Sequence, residues 1–213
     1  MLSSIKNHLL DVAEKKMINN DPSHDFLHAK RVLMLAESIH KKEGGDMEVL
    51  FPAALFHDAV IYPKNDPKSK FAPEESAEFI SKELEVNNKY PKEKIEKVKT
   101  AIMECSFSKG IKPSSLESKI LQDADRLEAA GAISIMRTFS STGQMSRAFY
   151  HFDDPFAKRR NPDPLLYALD LFYTRLLKVG KLMNTRTAKD MAKKRTKFLK
   201  DFLTELRLEL GGK

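Results

Sequence analysis

The chain has 213 residues, of which 41% are hydrophobic and 31% charged, and it carries a net charge of +7 with a pI near 9.3. That composition excludes a disordered chain and leaves room for a domain with a real core. Its apolar stretches are broken well short of the ~18 residues of a membrane span, the charged N-terminus "MLSSIKNHLLDVAEKK" is unlike a signal peptide, and a single cysteine, Cys105, excludes an intrachain disulfide. The expectation is a cytoplasmic protein.

In chain order, nearly every segment reads as helix. Ile5, Leu9, Val12, Ala13 and Met17 form a first apolar stripe, and Val32, Leu35, Ala36 and Ile39 a second that stops at Gly44-Gly45. Asp46 caps a third helix expected to reach His57 and Asp58, with Pro52 kinking it or marking its true start. Pro73 with Glu74 and Glu75 opens a fourth, Pro91 a fifth, and Ser114-Ser115-Leu116-Glu117 fits a capping box for a sixth. Two long helices follow, over 164–183 and 187–210, while 62–72 and 151–163 read as loops. No stretch alternates as a half-buried strand does, and there is no internal repeat. The fold class is all-α, one domain over 1–213.

The C-terminal stretch 181–213 carries ten Lys/Arg against four Asp/Glu, with Met191, Phe198, Leu199, Phe202, Leu203, Leu206 and Leu210 at helical spacing. An amphipathic helix with a solvated basic face is preferred here over a nucleic-acid surface.

Four positions stand out as a set. "SHDFLHAKRV" sets His24 and His28 four apart, on one face of a helix; "FHDAV" supplies His57 and Asp58; "KILQDADRLEAAGA" offers Asp123 and Asp125 after an apolar lead-in. Singly each has a bland explanation: a hydrogen-bonded core histidine, or a capping or salt-bridged carboxylate. A metal shared by His28, His57, Asp58 and Asp123 would offset all their burial costs at once. Mixed imidazole and carboxylate donors suit a divalent ion of the Mn, Fe, Ni, Co or Mg kind. The Glu of H-E-x-x-H is absent, so a zinc-protease reading fails.

These motifs resemble the HD-domain superfamily of metal-dependent phosphohydrolases, whose signature is a first His, a His-Asp pair and a distant Asp. The resemblance is to the small single-domain bacterial branch: "HDFLHAKRV", "AALFHD" and "LQDADRLEAAGA" appear in the family's order, and the similarity continues through "HFDDPFAKR" and "LLKVGKLMNTRTAKDMAKKR". It implies a helical bundle with a core metal site within 24–126, completed by C-terminal helices over 163–210. His28, His57, Asp58 and Asp123 would be ligands to one divalent ion, Mn first, with Mg, Ni, Co, Fe and Zn as alternatives. Asp58, His24 and Arg126 would be catalytic, and Arg31, Lys64 and Lys109 would contact phosphate oxygens. Two departures are visible. Cys105 in "CSFSKG" stands where many relatives carry a histidine and reads as a buried thiol, and Leu171 in "ALDLFYTRLL" stands at another such position.

The implied reaction is hydrolysis of a phosphate ester or anhydride by a metal-activated water. The first choice of substrate is a (deoxy)nucleoside triphosphate, with release of pyrophosphate and with Phe26, Tyr62, Phe71 and Phe107 as candidate base-stacking rings. Alternatives are a phosphomonoesterase, a cyclic-nucleotide phosphodiesterase, and a nucleotide-sensing module without turnover. The expected partner is a small anionic molecule rather than nucleic acid or membrane, and oligomeric state, a homodimer included, stays open.

Overall fold

The computed structural model describes residues 2–18, 23–63, 66–106 and 110–212. Among them there are helices and no strand; the single bridge is a parallel one between Ala148 and Tyr167. The chain divides into two compact units, Met1–Asp125 and Arg126–Lys213, a division that falls inside one helix.

The first unit contains α1 (Ser3–Met17), α2 (Phe26–Glu43), α3 (Met47–Phe56), α4 (Ala72–Val86), α5 (Ile95–Cys105) and most of α6 (Leu116–Glu128). The sequence signals act locally as expected. Asp25 caps α2 by accepting the His28 N–H at 2.8 Å, and α2 ends at Gly44, whose φ of 82° lies in the left-handed region that only glycine enters at no steric cost. Asp46 caps α3 through the Glu48 N–H, also at 2.8 Å. Every residue of α3 from Val49 to Phe56 is buried, so this short helix runs through the core.

Pro52 sits inside α3, where it cannot donate to the Glu48 carbonyl one turn back. That carbonyl instead accepts the Tyr90 hydroxyl at 2.7 Å. The helix thus tolerates its proline because a side chain from elsewhere in the unit replaces the missing donor. Expected to reach Asp58, α3 stops at Phe56, and His57 and Asp58 lie in the turn just beyond. At α6 the cap is Ser115, whose hydroxyl accepts the Ser118 N–H at 3.0 Å. Glu117 does not close the expected capping box; its carboxylate takes the Asp46 N–H at 2.8 Å.

The second unit contains the last residues of α6, then α7 (Ala132–Gln144), α8 (Asp170–Thr174), a 3₁₀ turn (Leu176–Leu182) and α9 (Arg186–Glu209). Its core gathers Phe156, Leu169, Phe172, Leu176, Leu199 and Leu203, with the partly buried Leu171 against it. The long helix expected over 164–183 is broken into α8 and the 3₁₀ turn, because Arg175 leaves helical space at φ −131°, ψ −61°. The expected loop at 151–163 is one, and it is fixed from within. Asp154 accepts the Lys158 and Arg159 N–H groups, and Arg160 makes a two-pronged ion pair with Asp170, one arm at 2.8 Å. Asp170 is fully buried and also accepts the Asp163 N–H.

Candidate metal centre

His28 is the third residue of α2 and fully buried. The Asp25 cap that starts the helix lies just before it, and His24 precedes that cap. His24 is therefore in the turn before α2, not on the shared helical face the spacing suggested, yet its ring still stands edge-on to His28 at 5.6 Å between centroids. From the end of α3, the His57 Nδ1–H donates to the Ala54 carbonyl at 2.9 Å, which fixes the ring and turns Nε2 inward. The Nε2 atoms of His28 and His57 are 3.3 Å apart.

Two carboxylates close on this pair. Asp58 Oδ2 lies 3.7 Å from His28 Nε2 and 3.5 Å from His57 Nε2, and it contacts His24 Nδ1 at 2.8 Å. Asp125 Oδ1 lies 3.7 Å from His28 Nε2 and 3.8 Å from His57 Nε2. Donor atoms thus fall into two groups sharing His28, namely His24–His28–Asp58 and His28–His57–Asp125, each within 4.8 Å. Neighbouring ligands about 2.1 Å from one ion are separated by about 3.0–3.5 Å, so the spacing needs little contraction to close on a divalent cation. Both imidazoles are buried, while the Asp58 and Asp125 side chains keep 30% and 25% exposure, so the cluster has a buried side of imidazoles and a solvent-facing side of carboxylates.

The electrostatics match this arrangement. Burial works against a charged His57, but the Asp58 and Asp125 carboxylates outweigh it and pull its pKa up to about 9. Burial also opposes ionisation of Asp58, yet His57, with His24 and His28, holds that carboxyl well below its ordinary value. Asp125 is likewise lowered, against burial, by His57 and His28. The largest contributions that keep both carboxyls ionised come from imidazoles, and imidazole nitrogens can exchange a proton for a metal.

The main difference from the sequence reading concerns α6. Its carboxylate in the groups is Asp125, while Asp123 is fully buried and belongs to neither group. Two residues apart on a helix means about 200° around the axis, so the two aspartates cannot face the same point. Apolar neighbours identify Asp123 as buried, and no sequence signal distinguishes which of the two aspartates approaches His28. Arg31 is half-buried on α2, one turn beyond His28. Arg126 begins the second unit and donates to the Leu182 carbonyl at 2.7 Å. Lys64, Lys109 and Phe107 lie outside the described residues. Tyr62 donates its hydroxyl to Glu75 at 2.6 Å, Phe26 is half-buried under Lys30, and Phe71 is exposed beside Lys70. Cys105 is buried at the end of α5.

Residues 26–130 match the family profile described as HD domain. The chain is 31% identical over 200 residues to the YpgQ protein of Bacillus subtilis, covering 92% of this chain and 89% of that one. Among crystal structures, the Lin1889 protein of Listeria innocua matches with a TM-score of 0.74 and 31% identity over 98% of this chain and 96% of its own. An HD-superfamily hydrolase from Bacillus thuringiensis matches at 0.73 and 28% identity over 99% and 98%. B. subtilis YpgQ in complex with ADP matches at 0.73 and 27% identity over 97% and 95%. With a clustered set of histidines and aspartates inside the matched segment, and hydrolases of that superfamily among its relatives, the chain belongs to the HD-domain family of metal-dependent phosphohydrolases.

Proposed function

We propose that the chain is a nucleotide phosphohydrolase, with a (deoxy)nucleoside triphosphate as substrate and pyrophosphate as product. The observation that carries this reading is the close approach of the Asp58 and Asp125 carboxylates to the Nε2 atoms of the buried His28 and His57. The ADP complex of the related YpgQ supports a nucleotide as the ligand class.

His28 and His57 would hold a divalent cation through Nε2 from below, and Asp58 and Asp125 through their carboxylates from the open side, with Asp125 taking the place first given to Asp123. Manganese suits this mixed nitrogen and oxygen set. When bound, such an ion supplies a water acidic enough to attack phosphorus and a positive charge against the phosphoryl oxygens. Asp58 sits where it can orient the attacking water, and His24, hydrogen-bonded to the same carboxylate and half-exposed, can pass the released proton to solvent. Arg31 sets a cation one helical turn from His28 for the substrate phosphates.

Turnover of deoxynucleoside triphosphates should be measured with manganese, resolving pyrophosphate from orthophosphate, for the wild type and for Asp125→Ala. Pyrophosphate from the wild type and loss of turnover in the variant are expected. Orthophosphate alone, or hydrolysis only of a cyclic nucleotide, would replace the substrate assignment; full activity in Asp125→Ala would overturn the site.

A further inference from the structure

His57 and Asp58 lie beyond the last residue of α3, so no helical ladder fixes the direction in which Asp58 leaves the chain. On its near side the segment is tied back to α3: the His57 ring donates to the Ala54 carbonyl, and the Ala59 N–H to the Phe56 carbonyl at 3.1 Å. On its far side it is tied to a different element. The Val60 N–H donates to the Ser76 hydroxyl at 3.0 Å, and that hydroxyl donates in turn to the Val60 carbonyl at 3.4 Å. Two residues on, the Tyr62 hydroxyl meets the Glu75 carboxylate at 2.6 Å. Asp58 thus sits between two anchors, one on α3 and one on α4.

Ser76 is a costly choice for its position. It is wholly buried, and the other buried residues of α4 include Ala77, Ile80 and Leu84. A hydroxyl taken out of water is unfavourable unless it is bonded, and alanine is the better helix former. A serine inside a helix can return its hydroxyl to its own carbonyl one turn back; this one reaches across to another segment. By meeting both the N–H and the C=O of Val60, it fixes the peptide units on either side of that residue.

We propose that Ser76 is a positioning residue for the metal centre: by holding the backbone at Val60, it keeps the Asp58 carboxylate directed at the Nε2 atoms of His28 and His57. The proposal rests on the reading of that cluster as a metal centre. Asp58 Oδ2 stands 3.7 and 3.5 Å from those two atoms, and a ligand set of this kind has to be held to within about 0.5 Å. Ser76 bonds the backbone two residues from Asp58 rather than the carboxylate itself, so it acts through the chain. Groups that orient metal ligands from outside are worth about 10–100-fold in affinity, and one acting through the backbone belongs at the lower end.

The test compares Ser76→Ala with Ser81→Ala in the full chain. Ser81 is also buried on α4, but its hydroxyl donates to the Glu85 carboxylate of the same helix at 3.4 Å. Its loss therefore removes a buried serine without touching the Asp58 segment. Manganese is titrated calorimetrically into the metal-free proteins with no nucleotide present, so the substrate assignment is not at stake. Ser76→Ala should bind manganese about tenfold more weakly than the wild type, and Ser81→Ala as the wild type does. A second readout needs no metal. In EDTA, hydrogen exchange of the Val60 amide should be at least about tenfold faster in Ser76→Ala and unchanged in Ser81→Ala. Wild-type manganese affinity in Ser76→Ala, an equal loss in both variants, or unaltered exchange at Val60 would overturn the positioning role while leaving the centre in place. Absence of manganese binding by the wild type would overturn the centre and this role with it.

Discussion

Two aspartates stand at the edges of their cores in opposite conditions. Asp170, in the second unit, is wholly buried and fully employed: the Arg160 guanidinium grips both its oxygens and the Asp163 N–H adds a third bond. Asp58, in the first unit, faces imidazoles across 2.8, 3.5 and 3.7 Å, and Asp125 approaches two of the same imidazoles at 3.7 and 3.8 Å. A carboxylate met by an arginine fork is complete without a ligand. One met by histidine nitrogens has partners that can give up a proton and turn toward a metal. The contrast separates structural charge from charge kept for chemistry.

The largest effect that would sharpen this contrast is at Asp58. Asp58→Ala should lose bound manganese and about 10³-fold or more in turnover, the equivalent of several kcal/mol of charge stabilisation at the phosphoryl group. Its metal-free stability should fall less than that of Asp170→Ala, since Asp58 shares the charge of buried His57 with Asp125; a collapse of stability in EDTA would make Asp58 a structural residue like Asp170. Asp170→Ala should do the reverse. Leaving Arg160 half-buried without its partner should cost about 3–5 kcal/mol in denaturant unfolding, while the folded protein keeps its metal.

A smaller effect is expected where the first unit supports the His57 turn. Tyr90→Phe removes the donor that serves the Glu48 carbonyl opposite Pro52, so denaturation should show about 1 kcal/mol of lost stability, with metal content unchanged. The smallest effect depends on pH. Lys94 contacts Asp46 at 2.7 Å and Glu48 at 2.6 Å; its bond to Glu48 is the main reason that carboxyl is lowered to about 2. A carboxyl lowered in the folded state stabilises it above the unfolded value near 4.5 and ceases to do so as pH falls toward 2. Unfolding midpoints measured over that range should decline, and Lys94→Met should flatten the decline.

Much of the centre was legible because its chemistry sits in short, ordered strings. His28, His57 and Asp58 stand out as polar residues interrupting apolar helix patterns, and the all-α class follows from stripes such as Ile5, Leu9, Ala13 and Met17, all buried in the fold. What the sequence did not settle was phase. Asp123 and Asp125 stand two apart in one run, on either side of Ala124, and only the rotation of α6 decides which one meets His28. His24 and His28 have helical spacing, yet the Asp25 cap places the first of them outside the helix. In the second unit, the break at Arg175 has no glycine or proline beside it, so the run 164–183 reads as continuous. Phe198 follows the apolar period but faces water.

The most direct test of the centre is a calorimetric titration of manganese into the wild type, Asp125→Ala and Asp123→Asn. An ion held by His28, His57, Asp58 and Asp125 predicts tight binding to the wild type and to Asp123→Asn, and affinity at least about a hundredfold weaker in Asp125→Ala. Tight binding retained by Asp125→Ala and lost in Asp123→Asn would contradict it.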